Sequence, residues 1–433
     1  MINILEKTNC CGCSACIQRC PKQCISLHED EEGFLYPKVN LDICIDCRLC
    51  EKFCPVLHQT EKRIPLDVFA ARNPDKQIRM ESSSGGVFTQ LAEQTIDTGG
   101  VVFGVKWNKH FEAVHAYTET KEGLVAFRGS KYIQSQIGDT FKQAEQFLKQ
   151  GRQVLYSGTP CQIAALKLFL SKDYYNLLAV DFICHGVPSP GVFRWYLSEE
   201  LAQEAARQSE KKNQLCSSYP FSSIAKVDIL AREQGFEVED IRFRDKRVGW
   251  KKYSFVLSLK SLYKGTNTDE NSVSLSYTVD KSDFMRGFLS DLYLRPSCHA
   301  CPAKSGKSGA DITLGDYWGI ESLIPQLDDD RGVSALIINT EKGKKVLHAT
   351  TAELYPVPYN DLRVKNPALE HSCRISPNRI LFFADSIESF HHRIKRLCRI
   401  PLERKIKKKV ISLINQVLSK KHKLLNQFLG NNI

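Results

Sequence analysis

The sequence predicts an α/β multidomain protein: a small α+β module ahead of a mainly parallel α/β domain, which carries an antiparallel insertion and ends in a helical basic tail. Three observations predict it. The first 60 or so residues are dense in cysteine and built from two halves, "CCGCSACIQRCP" and "ICIDCRLCEKFCP", an internal repeat. From about residue 66 to 200, strand-like and helix-like stretches alternate, the pattern of parallel strands joined by helices. Beyond a polar loop at 208–218, strand-like stretches follow one another without helical spacers, as antiparallel strands do.

Taken in order, "LDVFAA" reads as a strand, "GGVFTQLAEQTI" as a helix closed by Gly99 and Gly100, and "VVFGVKW" as a strand. Helix "DTFKQAEQFLKQG", strand "RQVLYSG", helix "PCQIAALKLFL" with its proline in the first turn, and strand "LLAVDFIC" continue the alternation. In the insertion, about 208–280, "SIAKVDIL", "FEVEDIRFRD" and "KKYSFVLSLK" alternate with period two and read as strands; "ADITLGDYWG" and "VSALIINT" return to α/β character. The domains expected are 1–60, a cysteine module; 61–150 and 151–345, two parts of one α/β domain; 346–390, an extension; and 391–433, a basic amphipathic tail.

The chain has 433 residues, 42% hydrophobic and 25% charged, and a net charge of +11. Residues 391–433 hold twelve Lys/Arg against Glu403, so 12 − 1 = +11, and everything before them sums to zero. The basicity therefore belongs to the tail, which excludes a nucleic-acid-binding body. In the tail Ile406, Val410, Ile411, Leu413, Ile414, Val417 and Leu418 share one face with lysines opposite; peripheral contact with an anionic membrane surface and a solvated or partner-packed helix both remain open. No apolar run of eighteen residues and no secretory h-region is visible, so a cytoplasmic protein is expected, peripheral to the inner face of the membrane if the tail binds lipid.

Seventeen cysteines in a long chain without a leader point to thiolates holding metal. Cys10, Cys13, Cys16 and Cys20, followed by Pro21, give C-x2-C-x2-C-x3-C-P, and Cys44, Cys47, Cys50 and Cys54, followed by Pro55, repeat it. Three thiolates so spaced wrap one iron–sulfur cube while the fourth reaches the neighbouring cube. This assigns Cys10, Cys13, Cys16 and Cys54 to one 4Fe-4S cluster and Cys44, Cys47, Cys50 and Cys20 to a second, with Cys11 and Cys24 as spectators. Tetrahedral zinc leaves half of these thiolates unused. The module resembles bacterial two-cluster ferredoxins.

Four more cysteines fall in suggestive places: Cys161 in "SGTPCQ" at a helix N-terminus, Cys184 in "DFICHG" after the next strand, and Cys298 with Cys301 in "SCHAC". Together they form a complete ligand set for a third 4Fe-4S cluster. The alternative stays open that the first two are small core residues and that the pair binds zinc or nothing. Cys216, Cys373 and Cys398 stand alone and read as structural.

Clusters pass single electrons, so a two-electron reduction needs a group that pairs them, as a flavin does. "ESSSGGVFTQLAEQ" sets serines and glycines before a helix, which suits a phosphate, though serine at an N-cap needs no ligand to explain it. "FRGSKYIQSQIG" gathers Arg128, Ser130, Lys131, Tyr132, Gln134 and Ser135, with an exposed loop as its alternative. There is no G-x-G-x-x-G after a strand, and "AKSGKSGAD" lacks the first glycine of a P-loop.

In this order, the cysteine pair, "SSSGGVFTQL", "RGSKYIQS", "YSGTPCQIAALK", "VDFICHGVPSP", "FMRGFLSDLYLRPSCHAC" and "ADITLGDYWGI" resemble the coenzyme F420 hydrogenase/dehydrogenase beta-subunit family, over roughly residues 5–345. The resemblance implies an iron–sulfur flavoprotein that binds FAD beside a 4Fe-4S cluster. It implies Ser83, Ser84, Gly85, Gly86, Ser130, Lys131 and Gln134 as flavin contacts, and Cys161, Cys184, Cys298 and Cys301 as ligands of the flavin-proximal cluster. It also implies a ferredoxin or another redox protein as electron donor, a small organic substrate, and for bacterial members of this domain order a link to surface-polysaccharide synthesis. The insertion and the tail lie outside the shared pattern.

The expected protein is thus a ferredoxin-coupled flavin oxidoreductase; His185 is a candidate proton donor, with a structural hydrogen-bonding role as its alternative, and Lys251, Trp250 and Arg295 are candidates to shape a pocket, with solvated or packed roles as theirs. Its rivals are a non-catalytic electron-transfer subunit, an F420-reducing or F420-oxidising subunit, and an iron–sulfur scaffold that binds a surface through its tail.

Overall fold

The computed structural model describes residues 1–4, 6–209, 224–262, 272–347, 349–384 and 387–399. The N-terminal module pairs strands β1 (Ile25–Glu29) and β2 (Leu35–Val39) antiparallel and carries two one-turn helices, Ala15–Gln18 and Leu49–Lys52. The repeat is visible in the backbone: Ser14 and Arg48, at equivalent positions, both take left-handed φ angles of 58° and 56° immediately before these helices. Arg19 docks the module on the larger domain, donating to Phe169 O and to Glu145 Oε1, 3.1 and 3.0 Å, with its guanidinium 3.8 Å from the Phe169 ring centre.

The larger domain is built on strands β3 (Asp67–Arg72), β4 (Val101–Trp107), β5 (Ala113–Thr118), β6 (Val154–Gly158), β7 (Leu177–Phe182), β11 (Ile312–Asp316), β12 (Ser334–Ile338) and β13 (Glu353–Pro356), in the order β13-β3-β12-β11-β7-β6-β4-β5. Strands β4, β6, β7 and β11 run parallel, and the remaining pairings are antiparallel. The α/β class is as the sequence predicts, but the sheet is mixed rather than mainly parallel. Helices connect β3 to β4, β5 to β6 and β6 to β7; β5 returns directly beside β4, whereas β13, reached through helix Glu341–Leu347, pairs with β3 at the other edge. Alternate residues of β4 feed two cores: Val101 and Phe103 pack with Ile163 and Phe169, and Val102 packs with Leu91 and Leu336. Cys11, Cys13 and Ala15 of the module are buried in the first of these cores, so module and domain share apolar packing.

The insertion forms an antiparallel sheet, β8 (Phe236–Asp245), β9 (Ser254–Ser261) and β10 (Ser272–Thr278), in the order β10-β9-β8. "SIAKVDIL" corrects the sequence expectation of a strand: Val227–Glu233 is a helix that buries Val227 and Ala231, one turn apart, in an aromatic core with Phe243, Phe255, Phe284 and Tyr293. Helix Phe390–Leu397, assigned by charge to the tail, docks Phe390, Ile394 and Leu397 in this same core. Residues 400–433, with the apolar face expected of the tail, and Cys216 lie outside the described residues. Among the described residues no helix is long and apolar enough to cross a membrane.

Candidate metal centres

The sixteen cysteines among the described residues are free thiols. Among those residues no three His, Cys, Asp or Glu side chains are grouped as a single ion requires; the thiols stand around wider spaces. One cavity of about 400 Å³ is lined by Cys10, Cys13, Cys16 and Cys54, with Cys11 beside them. A second, of about 340 Å³, is lined by Cys20, Cys44, Cys47 and Cys50, with Cys24 beside them. These are the two crossed sets that the spacing predicts, and the donor chemistry, four sulfurs around each space, fits an iron–sulfur cube. The inner set is buried apart from a slight exposure, whereas Cys47 of the outer set is exposed. Burial and the neighbouring thiols Cys10, Cys54 and Cys50 push Cys16 up to about 12.

Cys161 sits at the start of helix Pro160–Leu170, where Thr159 and Gln162 form a capping box. Its thiol lies 3.2 Å from Thr159 Oγ1, and the neighbouring Cys11 thiol together with burial pushes its pKa far up. Cys184 follows β7, and burial, opposed by Lys304 and reinforced by Cys161 and Cys301, pushes it to about 12. Cys298 lies in the 3-10 turn Pro296–Ala300, its sulfur accepting from Val187 N at 3.4 Å, and Cys301 follows that turn, raised to about 11 by burial and Cys161. The topology thus gathers four thiols from three loops into one neighbourhood. Cys184, Cys298 and Cys301 are each raised by another of the four, and such a set suits a polynuclear cation. Cys373, read from sequence as isolated, belongs to the same neighbourhood: its thiol donates to Cys298 O at 3.4 Å and lies 3.4 Å from His299 Nδ1. Cys398 does stand apart, against Arg286 O.

Of the residues implied as flavin contacts, the structure joins two separate segments at one point: Ser83 Oγ accepts from Ser130 N at 2.6 Å and lies 2.8 Å from Ser130 Oγ. Gly86, at φ 81°, opens helix Val87–Asp97. Gly85 allows a close backbone crossing, since an added Cβ would stand 2.5 Å from Ala71 O and 2.6 Å from Ser334 N. Ser84 is spent on Gly315 O and Val333 O, and Lys131 turns back on the carbonyls of Ala126, Arg128 and Gly129, burial lowering it to about 8. Gln134 is elsewhere, between Cys11 O and Arg295.

His185 Nε2 meets Asp291 Oδ1 at 2.6 Å, and its ring stands edge-on to Phe288, which in turn touches Tyr132. Of the expected pocket residues, Trp250 is buried, stacked on Trp318 at 4.8 Å and donating to Asp316 at 3.0 Å. Lys251 is a surface residue paired with Asp328 and Glu321, and Arg295 lies at the module boundary; neither lines a pocket with Trp250. The residues missed are Arg244 and Lys246. Arg244 is held by Asp316 at 2.8 Å and donates to Tyr132 and to Ser83 O, and Lys246 donates to the carbonyls of Arg79, Ser84 and Arg331. Arg244 lies near the end of β8 and Lys246 just beyond it, and their spacing of two was the available signal.

Comparison with known proteins gives the family. Residues 151–356 match the family described as the C terminus of the coenzyme F420 hydrogenase/dehydrogenase beta subunit, residues 68–142 its N-terminal counterpart, and residues 9–57 a 4Fe-4S dicluster domain. Over 43 residues the chain is 42% identical to "Ferredoxin 7Fe" of Hydrogenibacillus schlegelii, covering 10% of this chain and 49% of that protein; it spans about half the length of this relative. A solved structure, of the F420-reducing NiFe hydrogenase complex from Methanosarcina barkeri, is similar with a TM-score of 0.40 and 15% identity over 72% of this chain and 88% of that one.

Proposed function

The chain belongs to the coenzyme F420 hydrogenase/dehydrogenase beta-subunit family and carries a 4Fe-4S dicluster domain, and from that premise we propose that it is an iron–sulfur flavoprotein oxidoreductase. It takes single electrons from a redox protein at its Cys47 side and delivers them in pairs to a small organic molecule at its Ser83–Ser130 side. The observation that carries the reading is the order of the thiols from surface to interior. Cys47 is exposed, Cys10 and Cys16 are buried, and Cys11 neighbours Cys161, beside Cys184, Cys298 and Cys301.

In this reading Cys10, Cys13, Cys16 and Cys54 hold one 4Fe-4S cluster, Cys20, Cys44, Cys47 and Cys50 another, and Cys161, Cys184, Cys298 and Cys301 a third, supplying one-electron storage. An FAD held at Ser83 and Ser130, near the Arg244 guanidinium, would supply the pairing of electrons. The chain's own part is to exclude water from the inner thiols, to present a cation and aromatic surfaces at the Ser83–Ser130 contact, and to hold a proton on His185, oriented by Asp291. Kinship directs the first substrate assays to intermediates of surface-polysaccharide synthesis.

A second reading is favoured by the family description, which is that of a beta subunit: in it the chain transfers electrons to a catalytic partner and turns over no small molecule alone. Anaerobic purification with iron, sulfide and flavin quantified together tests the first reading. About twelve irons and one FAD per chain are expected for three 4Fe-4S clusters, and a colourless or zinc-loaded protein overturns it.

A further inference from the structure

Arg295 is fully buried, at 0% exposure, yet among the described residues no carboxylate pairs with it. Its Nε donates to Cys10 O at 2.7 Å. One terminal nitrogen donates to Gln134 Oε1 at 2.8 Å, and the other to Leu35 O at 3.1 Å and to Cys10 Sγ at 3.5 Å. The Tyr36 ring lies 4.1 Å from the guanidinium carbon. A buried cation left without an anion is strongly unfavourable, and three carbonyl-type acceptors orient the guanidinium without neutralising it. Of the groups in its reach able to carry negative charge, which include Tyr36 and the thiols of Cys11 and Cys161, the Cys10 sulfur on the rim of the inner cavity is the one to which it donates.

The outer cavity differs. The cations on its rim, Arg48, Lys22 and the Met1 ammonium, are exposed, and Arg48 and Met1 face Asp46, so water and carboxylates screen them. Cys50 Sγ accepts only a neutral backbone donor, Ile2 N, at 3.1 Å.

Resting on the assignment of a 4Fe-4S cluster to Cys10, Cys13, Cys16 and Cys54, we infer that Arg295 is the counter-cation of that inner cluster and sets its reduction potential above that of the outer one. Reduction adds one negative charge to a cluster already bearing four thiolates, so a cation fixed against a ligand sulfur in a dry site favours the reduced form. The electron then rests on the inner side, next to Cys161, instead of at the exposed entrance. This is a positioning and tuning role; Arg295 takes no part in bond making.

The test is an EPR-monitored redox titration of the full-length protein, purified anaerobically, as wild type, Arg295→Met, Arg295→Lys and Gln134→Glu. Arg295→Met should make the inner cluster at least about tenfold harder to reduce, a downward shift of about 59 mV for one electron, while the outer wave stays in place. Arg295→Lys keeps the charge and should hold the inner wave within about threefold of wild type. Gln134→Glu places a carboxylate against the guanidinium and should move the same wave down, which keeps the test in hand if Arg295→Met does not fold. Waves unmoved in both neutralising variants, with iron content intact, overturn the inference alone. So does an Arg295→Lys wave displaced as far as that of Arg295→Met. A wild-type protein without iron overturns the cluster assignment, and the inference with it.

Discussion

Arg379 and Glu32 meet fork to fork, 2.7 and 2.5 Å apart, tying the end of the C-terminal extension to the N-terminal module. Both are mostly buried, and Arg379 also donates to Leu294 O at 3.0 Å, just before the loop that carries Cys298 and Cys301. One guanidinium thus fastens three parts of the chain.

Removing either partner is expected to cost more than a surface pair does, about 1–3 kcal/mol, because the survivor is left charged and poorly solvated. Glu32→Gln, Arg379→Met and the double variant, compared by denaturant unfolding, should show a double-mutant coupling of about 1 kcal/mol or more. A coupling near zero sinks the idea that the clamp holds the module.

The thiols divide into ligands and neighbours. Cys298→Ala should lower iron from about twelve to about eight per chain and leave both dicluster signals. Cys11→Ala should leave iron content unchanged, since Cys11 touches Cys161 without being assigned to a cluster. Parallel iron and sulfide analysis of anaerobic preparations decides both, and loss of four irons in Cys11→Ala refutes the division.

At Gly85 the backbone passes Ala71 O and Ser334 so closely that one methyl group is too many. Gly85→Ala should destabilise the protein by about 1–3 kcal/mol and displace Ser83 from Ser130. Flavin retained at wild-type stoichiometry after gel filtration would show that this contact does not hold the cofactor.

His115 lies buried in β5, its Nε2 directed at Ser157 O at 3.3 Å, and burial lowers it to about 4. A histidine with a depressed folded pKa binds fewer protons folded than unfolded. Stability is therefore present above about 6.5, falls as pH drops, and this contribution is fully lost by about pH 4. Thermal melts between pH 7 and 5 should show a steeper loss for wild type than for His115→Gln; equal slopes refute it.

Much of this was legible in the sequence because it is local. The crossed ligand sets follow from cysteine spacing, and strands β3, β4, β6 and β7 follow from apolar runs bounded by turn residues. What was not legible depends on residues far apart in the chain. Nothing near "HSCRIS" announces that Cys373 lies against His299, or that Ser372 Oγ accepts from Cys301 N at 3.0 Å. Arg295 was singled out for a pocket, but its acceptors, Cys10, Leu35 and Gln134, come from parts of the chain that only the tertiary fold brings together. "VDIL" misled because valine and isoleucine favour strands locally, whereas the aromatic core made a helical face the better burial. The mixed sheet escaped notice because an apolar run does not encode strand direction: β12, buried throughout, runs antiparallel to both β11 and β3.

The Cys298–Cys301 loop is held by Ser372, Cys373 and Arg379, some seventy residues further along the chain. On the ribosome these sealing residues emerge after the two thiols they cover. There is thus an interval in every round of synthesis when Cys298 and Cys301 are already made and still uncovered. Under the proposed three-cluster assignment, translation speed over that stretch becomes a determinant of how many chains mature with their full complement of iron.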